Sequence, residues 1–220
     1  YYDVDPDLAT DVTRRMKELE NLISRTHKAG LGFIMDFVPN HVARQYHSDA
    51  CPEGVEDLGA NDDRTVAFST QNNFYYLPGR PLHLDYIVGR HSNYSEVPAK
   101  VTGNDCFTAW PGGIDWYETV KLNYGIDYQN GYRRCFTPHP DTWGKMLGIL
   151  LFWAAKGVDA FRCDMAEMVP VEFWHWAIRE VKKQYPDIMF IAEVYNPALY
   201  REYVRRGGFD YLYDKVGLYD

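Results

Sequence analysis

The chain has 220 residues, of which 46% are hydrophobic and 16% aromatic, which is enough to bury a core and too apolar for a disordered segment. Its net charge of -8 leaves no surplus of Lys and Arg to neutralise phosphates, which argues against a nucleic-acid or anionic-membrane partner. The longest apolar run, Met146 to Ala155, is too short to span a bilayer. The four cysteines show neither CxxC spacing nor the density of a disulfide scaffold. Composition fixes neither compartment nor oligomeric state.

One pattern recurs along the chain. From Asp11 to Ala29, Val12, Met16, Leu19 and Ile23 fall at helical spacing. Gly30 stops that helix, and the apolar run Phe33 to Val38 follows, interrupted by Asp36. The order returns over Asp141 to Lys156, where Trp143, Leu147, Leu150 and Ala154 share a face, Gly157 is the stop and Val158 to Cys163 reads as a strand. It returns again over Pro170 to Tyr185, with Phe173, Ala177 and Val181 as the stripe, Pro186 as the breaker and Ile188 to Ala192 as the strand. A weaker copy runs from Ala198 to Arg206, through Gly207 and Gly208, to Phe209 to Tyr213.

Helix, stop and short apolar strand in repetition predict an α/β protein with a parallel sheet. Polar residues stand at or just past several strand ends: Asn40 and His41, Arg162 and Asp164, Glu193, and Asp214. That distribution predicts a (β/α)8 barrel mouth rather than one switch-point crevice, and no Gly-rich phosphate turn follows any strand. Between His41 and Pro140 the rhythm stops, in a stretch rich in Asn, Asp, Gly, Tyr and Pro. A structureless loop of that length is implausible, so the segment predicts an inserted subdomain of short strands. The resulting organisation is barrel helix and strand over 1–41, insertion over 42–140, and further barrel strands over 141–220. About four βα units of roughly 30 residues fit outside the insertion, where a closed barrel needs eight. The native protein is therefore expected to extend past both ends of this chain.

Two carboxylates lead the chemistry. Arg162 and Asp164 have the same parity on their strand, so both point to one face. A guanidinium beside Asp164 is expected to hold it ionised, as a nucleophile requires. Glu193, among Phe190, Ile191, Ala192 and Val194, is expected to have a raised pKa suited to a proton donor. Such a pair about 5–5.5 Å apart is the arrangement of a retaining glycosidase. The alternative is an Arg–Asp ion pair that only holds the sheet together.

Three motifs carry a resemblance: Asp36-Phe37-Val38-Pro39-Asn40-His41, then Phe161-Arg162-Cys163-Asp164, then Glu193 after a short apolar strand. In this order, with the insertion after the first, they resemble the α-amylase family, glycoside hydrolase family 13. The resemblance implies part of a (β/α)8 barrel with domain B inserted after strand three. It implies an α-amylase-type glycosidase acting on α-glucosidic bonds of starch-like polysaccharide or malto-oligosaccharide. Transglycosylation or isomerisation at the same site, and a non-catalytic barrel scaffold, are the alternatives.

Residue by residue, the resemblance implies Asp164 as nucleophile, Glu193 as general acid/base, and Arg162 as the residue that orients and charges the nucleophile. It implies His41 as a sugar-ring contact, Asp36 as a supporting carboxylate, and Asn40 as a structural residue that in some members binds calcium. No cofactor is required, and a structural calcium ion is the one metal the family suggests. Tyr195 is the expected aromatic wall of the substrate site. The sequence departs from the family at Met165-Ala166-Glu167-Met168, where many members end in Lys-His, and at Lys121-Leu122-Asn123, where a PDLN-like motif would carry an Asp. The strand-seven motif that brings the third carboxylate is absent before Asp220. Trp110, Trp116 and the run Phe74-Tyr75-Tyr76 are read chiefly as a small core for the insertion.

Overall fold

The computed structural model describes residues 1–84 and 94–213; Asp214 and His91 lie outside the described residues. In chain order the strands are β1 (Ile34–Phe37), β2 (His41–Ala43), β3 (Tyr76–Leu77), β4 (Ala99–Lys100), β5 (Thr119–Lys121), β6 (Ile126–Asp127), β7 (Arg133–Arg134), β8 (Ala160–Cys163), β9 (Met189–Glu193) and β10 (Tyr211–Tyr213). The long helices are α1 (Arg15–Lys28), α2 (Asp141–Ala155) and α3 (Val171–Gln184). The chain forms two compact units, one of Tyr1–Val38, Ser48–Glu56 and Met146–Asp220, the other of Pro39–His47 and Asp57–Lys145. Their division falls within α2. It also groups Ser48–Glu56 with the barrel segments, whereas the sequence places those residues inside the 42–140 insertion.

The first unit is built on a parallel sheet in the order β1-β8-β9-β10. Its register pairs Met35 with Phe161 and Phe161 with Phe190, which sets one aromatic row on one face. Phe37, Phe161 and Phe190 are buried there, joined by Phe209 and by Trp174 of α3. Residues 173, 174, 177, 178 and 181 of α3 are all buried, an i, i+1, i+4, i+5, i+8 stripe wide enough to cover the row. The Trp174 indole N–H is not left unpaired, because it donates to the Ala166 carbonyl at 3.1 Å. Each such fully buried aromatic contributes about 2–3 kcal/mol by removal from water.

Local endings follow the sequence signals. Gly157 stops α2 at φ 92, a left-handed conformation costly for a residue with a Cβ. Pro170 caps α3 and Tyr185 ends it before Pro186. The helix expected from Asp11 starts at Arg15, because Val12–Arg14 forms a tighter 3-10 turn capped by Asp11. The segment expected as a helix over Ala198 to Arg206 divides into a 3-10 turn, one α-helical turn and the wider turn Tyr203–Gly207.

The second unit consists of two-stranded antiparallel pairs, β2-β5, β3-β4 and β6-β7. Its apolar core is Tyr75, Leu77, Ala99, Val101 and Ala109, packed by Phe68, Leu82, Phe107 and Tyr128. Phe74, Tyr75 and Tyr76 are all buried, so that run is core, as its composition suggests. With so little regular ladder, side-chain amides satisfy the buried backbone. Asn123 donates to the carbonyls of Ser69 and Asn72 and accepts from Gly125 N, and Asn73 donates to Asp141 at 2.8 Å. The last of these bonds ties the start of α2 to the second unit.

Candidate active site

The parallel register assembles the site. Asp36 pairs with Arg162 and Arg162 with Ile191, so these side chains share the face opposite the aromatic row. One residue beyond the pairing of Cys163 with Ala192, Asp164 comes level with Glu193, and Glu193 pairs with Tyr213 of β10. The charged residues thus stand at the C-terminal ends of neighbouring strands, where a barrel carries its chemistry.

Arg162 is the hub. Its Nη1 donates to Asp36 Oδ1 at 2.9 Å and Oδ2 at 3.2 Å, and to Asp164 Oδ1 at 2.9 Å. Its Nη2 lies 2.5 Å from Glu193 Oε1, and its guanidinium carbon sits 5.3 Å from the centroid of the Tyr213 ring. One planar cation therefore serves three carboxylates and stacks on an aromatic face, a combination lysine could not supply. Burial lowers the Arg162 pKa, but Asp36 and Glu193 outweigh it and hold the guanidinium more firmly protonated than an ordinary arginine.

The carboxylate pair corrects the sequence reading. Burial and a hydrogen bond to Glu193 raise the Asp164 pKa above its ordinary value, against the lowering effect of Arg162. Burial pushes Glu193 up as well, but it is overcome by hydrogen bonds from Tyr195 and Met165 and by Arg162, so its pKa is lowered. The expectation was the reverse. Its weakness is that apolar sequence neighbours of a strand residue alternate away from it, while Glu193 Oε2 accepts the Met165 N–H at 2.9 Å and Oε1 accepts the Tyr195 hydroxyl. Of the two, Asp164 is therefore the carboxyl whose protonated form the surroundings favour.

Sequence reasoning missed three contributors, Met165, Glu167 and Tyr213, and assigned Tyr195 only part of its role. Met165 adopts a left-handed conformation, φ 44, which turns its N–H onto Glu193. Glu167 accepts from the backbone N–H groups of Tyr195 at 3.2 Å and Asn196 at 3.0 Å, which fixes the turn after β9. Tyr213, as the strand-end neighbour of Glu193, was legible from parity alone. Tyr195, expected as a substrate wall, directs its hydroxyl to Glu193 instead of leaving it to the solvent.

His41 and Asn40 belong to the second unit. The His41 ring packs 5.2 Å from Trp116, and burial, then the Lys121 charge, lower its pKa so that it stays neutral. Gly103 lies against it: a Cβ there would stand 2.8 Å from His41 Cβ and 2.7 Å from Thr119 Oγ1, so no side chain fits. Trp110 is exposed and stacks on His83 at 3.6 Å. Asn40 is buried; its Nδ2 donates to Gly103 O at 2.8 Å, and its Oδ1 accepts from Lys121 Nζ at 2.9 Å. These surroundings do not fit calcium, since the one oxygen Asn40 could offer already faces a cation. Among the described residues no group of three or more His, Cys, Asp or Glu side chains is placed to hold a metal ion.

Residues 1–212 match the family model for the α-amylase catalytic domain. Over 108 residues the chain is 38% identical to an alpha-1,4-glucan:maltose-1-phosphate maltosyltransferase of Rhodospirillum rubrum, a match covering 45% of this chain and 16% of that protein. Its fold is similar to that of the Nostoc punctiforme debranching enzyme, with a TM-score of 0.60 and 17% identity over 96% of this chain and 34% of that one. It is also similar to an α-amylase from Geobacillus thermoleovorans complexed with acarbose, with a TM-score of 0.53 and 19% identity over 99% of this chain and 37% of that one. The chain thus spans about a third of these solved proteins. The match of the family model over residues 1–212, on a parallel sheet with its charged residues at the strand ends, places this chain in the α-amylase catalytic-domain family, as part of a (β/α)8 barrel.

Proposed function

We propose that the chain carries the central part of the active site of a retaining enzyme that acts on α-glucosidic bonds of malto-oligosaccharide or starch-like substrates. The observation that supports it is the placement of Asp164 and Glu193 at the ends of adjacent parallel strands, both held by the Arg162 guanidinium. In this reading Asp164 attacks the anomeric carbon, and Glu193 protonates the departing oxygen and then activates the acceptor. Asp164 attacks as an anion held against Arg162, and Glu193 is the carboxyl that carries the proton to the leaving group. Asp36 keeps Arg162 in place, and His41 has the role of a sugar-ring contact on the strength of its motif.

Transfer to an acceptor sugar in place of water is a second reading, favoured by the similarity to a maltosyltransferase. A non-catalytic scaffold is disfavoured because both carboxylates stand. The intact protein tests the first reading with an aryl α-glucoside and with maltoheptaose. Asp164→Asn is expected to abolish turnover of both. Glu193→Gln is expected to slow maltoheptaose far more than the activated glucoside, whose leaving group needs no proton. Near-native turnover of both substrates by Asp164→Asn overturns the proposal. Product analysis with added maltose then separates the readings, since longer oligosaccharides arise only by transfer.

A further inference from the structure

Lys121 is a buried charge that the chemistry above does not use. It ends β5, opposite His41 in the β2-β5 register, and its side chain is 3% exposed. Its Nζ lies 2.6 Å from Asp105 Oδ1, donates to Asn40 Oδ1 at 2.9 Å, and stands 5.7 Å from the centroid of the Tyr128 ring. Two oxygens and one ring face match the three N–H bonds of an ammonium. They do not match calcium, which takes six to eight oxygens at 2.3–2.6 Å and gains no ligand from an aromatic face.

The surrounding residues are set for that ammonium. The Gly103 carbonyl accepts Asn40 Nδ2 at 2.8 Å, which leaves Oδ1 turned towards Lys121. Asp105 holds a left-handed backbone, φ 66, a conformation kept only where the surroundings over-determine it. Its carboxylate supplies the charge that an uncompensated buried lysine would lack.

We propose that the Lys121 ammonium is the resident structural cation of the second unit, tethered at Asn40 Oδ1 where some family members bind calcium, and that it makes this segment independent of divalent cations. The arrangement exchanges a diffusible ion, whose contribution depends on its concentration, for a charge carried by the chain itself.

The test is thermal unfolding of the intact protein, in chelator and in calcium chloride, for the native sequence, Asn40→Ala, Lys121→Ala and Lys121→Met. The native Tm is expected to be the same in both media, or to shift by an amount that Asn40→Ala leaves unaltered, since an ion bound elsewhere is indifferent to Asn40. Both Lys121 variants should lose about 10 °C in chelator, because the buried Asn40 Oδ1 loses its donor and Asp105 its counter-charge. Calcium should restore part of that loss in Lys121→Ala, whose cavity exposes Asn40 Oδ1 and Asp105 Oδ1, and none in Lys121→Met, whose side chain fills it. Two results overturn the proposal: a native calcium response that Asn40→Ala removes, or Lys121 variants that keep the native Tm in chelator. If Lys121→Ala yields no folded protein, the comparison of native with Asn40→Ala decides alone.

Discussion

The Tyr195 hydroxyl donates a hydrogen bond to the Glu193 carboxylate two residues before it. Both side chains leave the same side of the strand end, and the buried Val194 between them points away. The phenol therefore favours the ionised form of Glu193.

Removing that bond should raise the Glu193 pKa. Tyr195→Phe is expected to move the alkaline limb of kcat/KM to higher pH and to lower kcat about tenfold, because a hydrogen bond to a charged group contributes about 1.5–3 kcal/mol. The pH profile of the intact enzyme checks this. An alkaline limb that stays in place means that Tyr195 serves only as a wall.

The two carboxyl groups should respond oppositely to neutralisation. Glu193 has a lowered pKa, so its ionisation stabilises the fold above the ordinary glutamate range, and that contribution is lost as pH falls through its folded value. Asp164 has a raised pKa, so its contribution is full below the ordinary aspartate range and is lost as pH rises through its folded value. At neutral pH Glu193→Gln should therefore lower Tm, by an amount equivalent to about 1–2 kcal/mol. Asp164→Asn should leave Tm unchanged or higher while activity falls at least about 10³-fold. Both differences should shrink in acid, which Tm measured against pH will show.

Arg162 holds three carboxylates together, so its loss should be severe and conditional. Arg162→Met is expected to destabilise by about 2–4 kcal/mol, less than a fully buried charge because the group keeps some solvent. Adding Asp36→Asn should recover part of that loss by removing one repulsive charge. Urea unfolding of the double-mutant cycle measures the coupling. Simple additivity would mean that Asp36 does not act through Arg162.

Gly103 sets the space for His41 through contact alone. Gly103→Ala should push the His41 and Thr119 side chains aside and cost about 1–3 kcal/mol of stability through overpacking. If His41 contacts the sugar, KM should rise more than kcat falls, and steady-state kinetics on maltoheptaose distinguish this from a general loss of folded protein.

Much of this was legible in the chain. The 3.6-residue stripes of α1, α2 and α3, the stops at Gly157 and Pro186, and strand parity depend on local geometry, so they placed Arg162, Asp164 and Glu193 at strand ends on one face. The three motifs then named the family. Protonation was not legible, because it depends on which donors converge on each oxygen across strands. Glu193 stands among apolar sequence neighbours, yet its carboxylate meets Met165 N, Tyr195 Oη and Arg162.

Lys121 and Asn40 show the same limit. The family resemblance implied that Asn40 sits in the first motif and that Lys121 stands where a PDLN-like stretch would carry an Asp. Only the tertiary structure decided that the lysine reaches the asparagine, across 81 positions of sequence. Periodicity and turn chemistry act over a few residues and can be read along the chain. Charge pairing and proton placement act through space, so they are settled only when strand register and burial bring distant side chains within a hydrogen bond of one another.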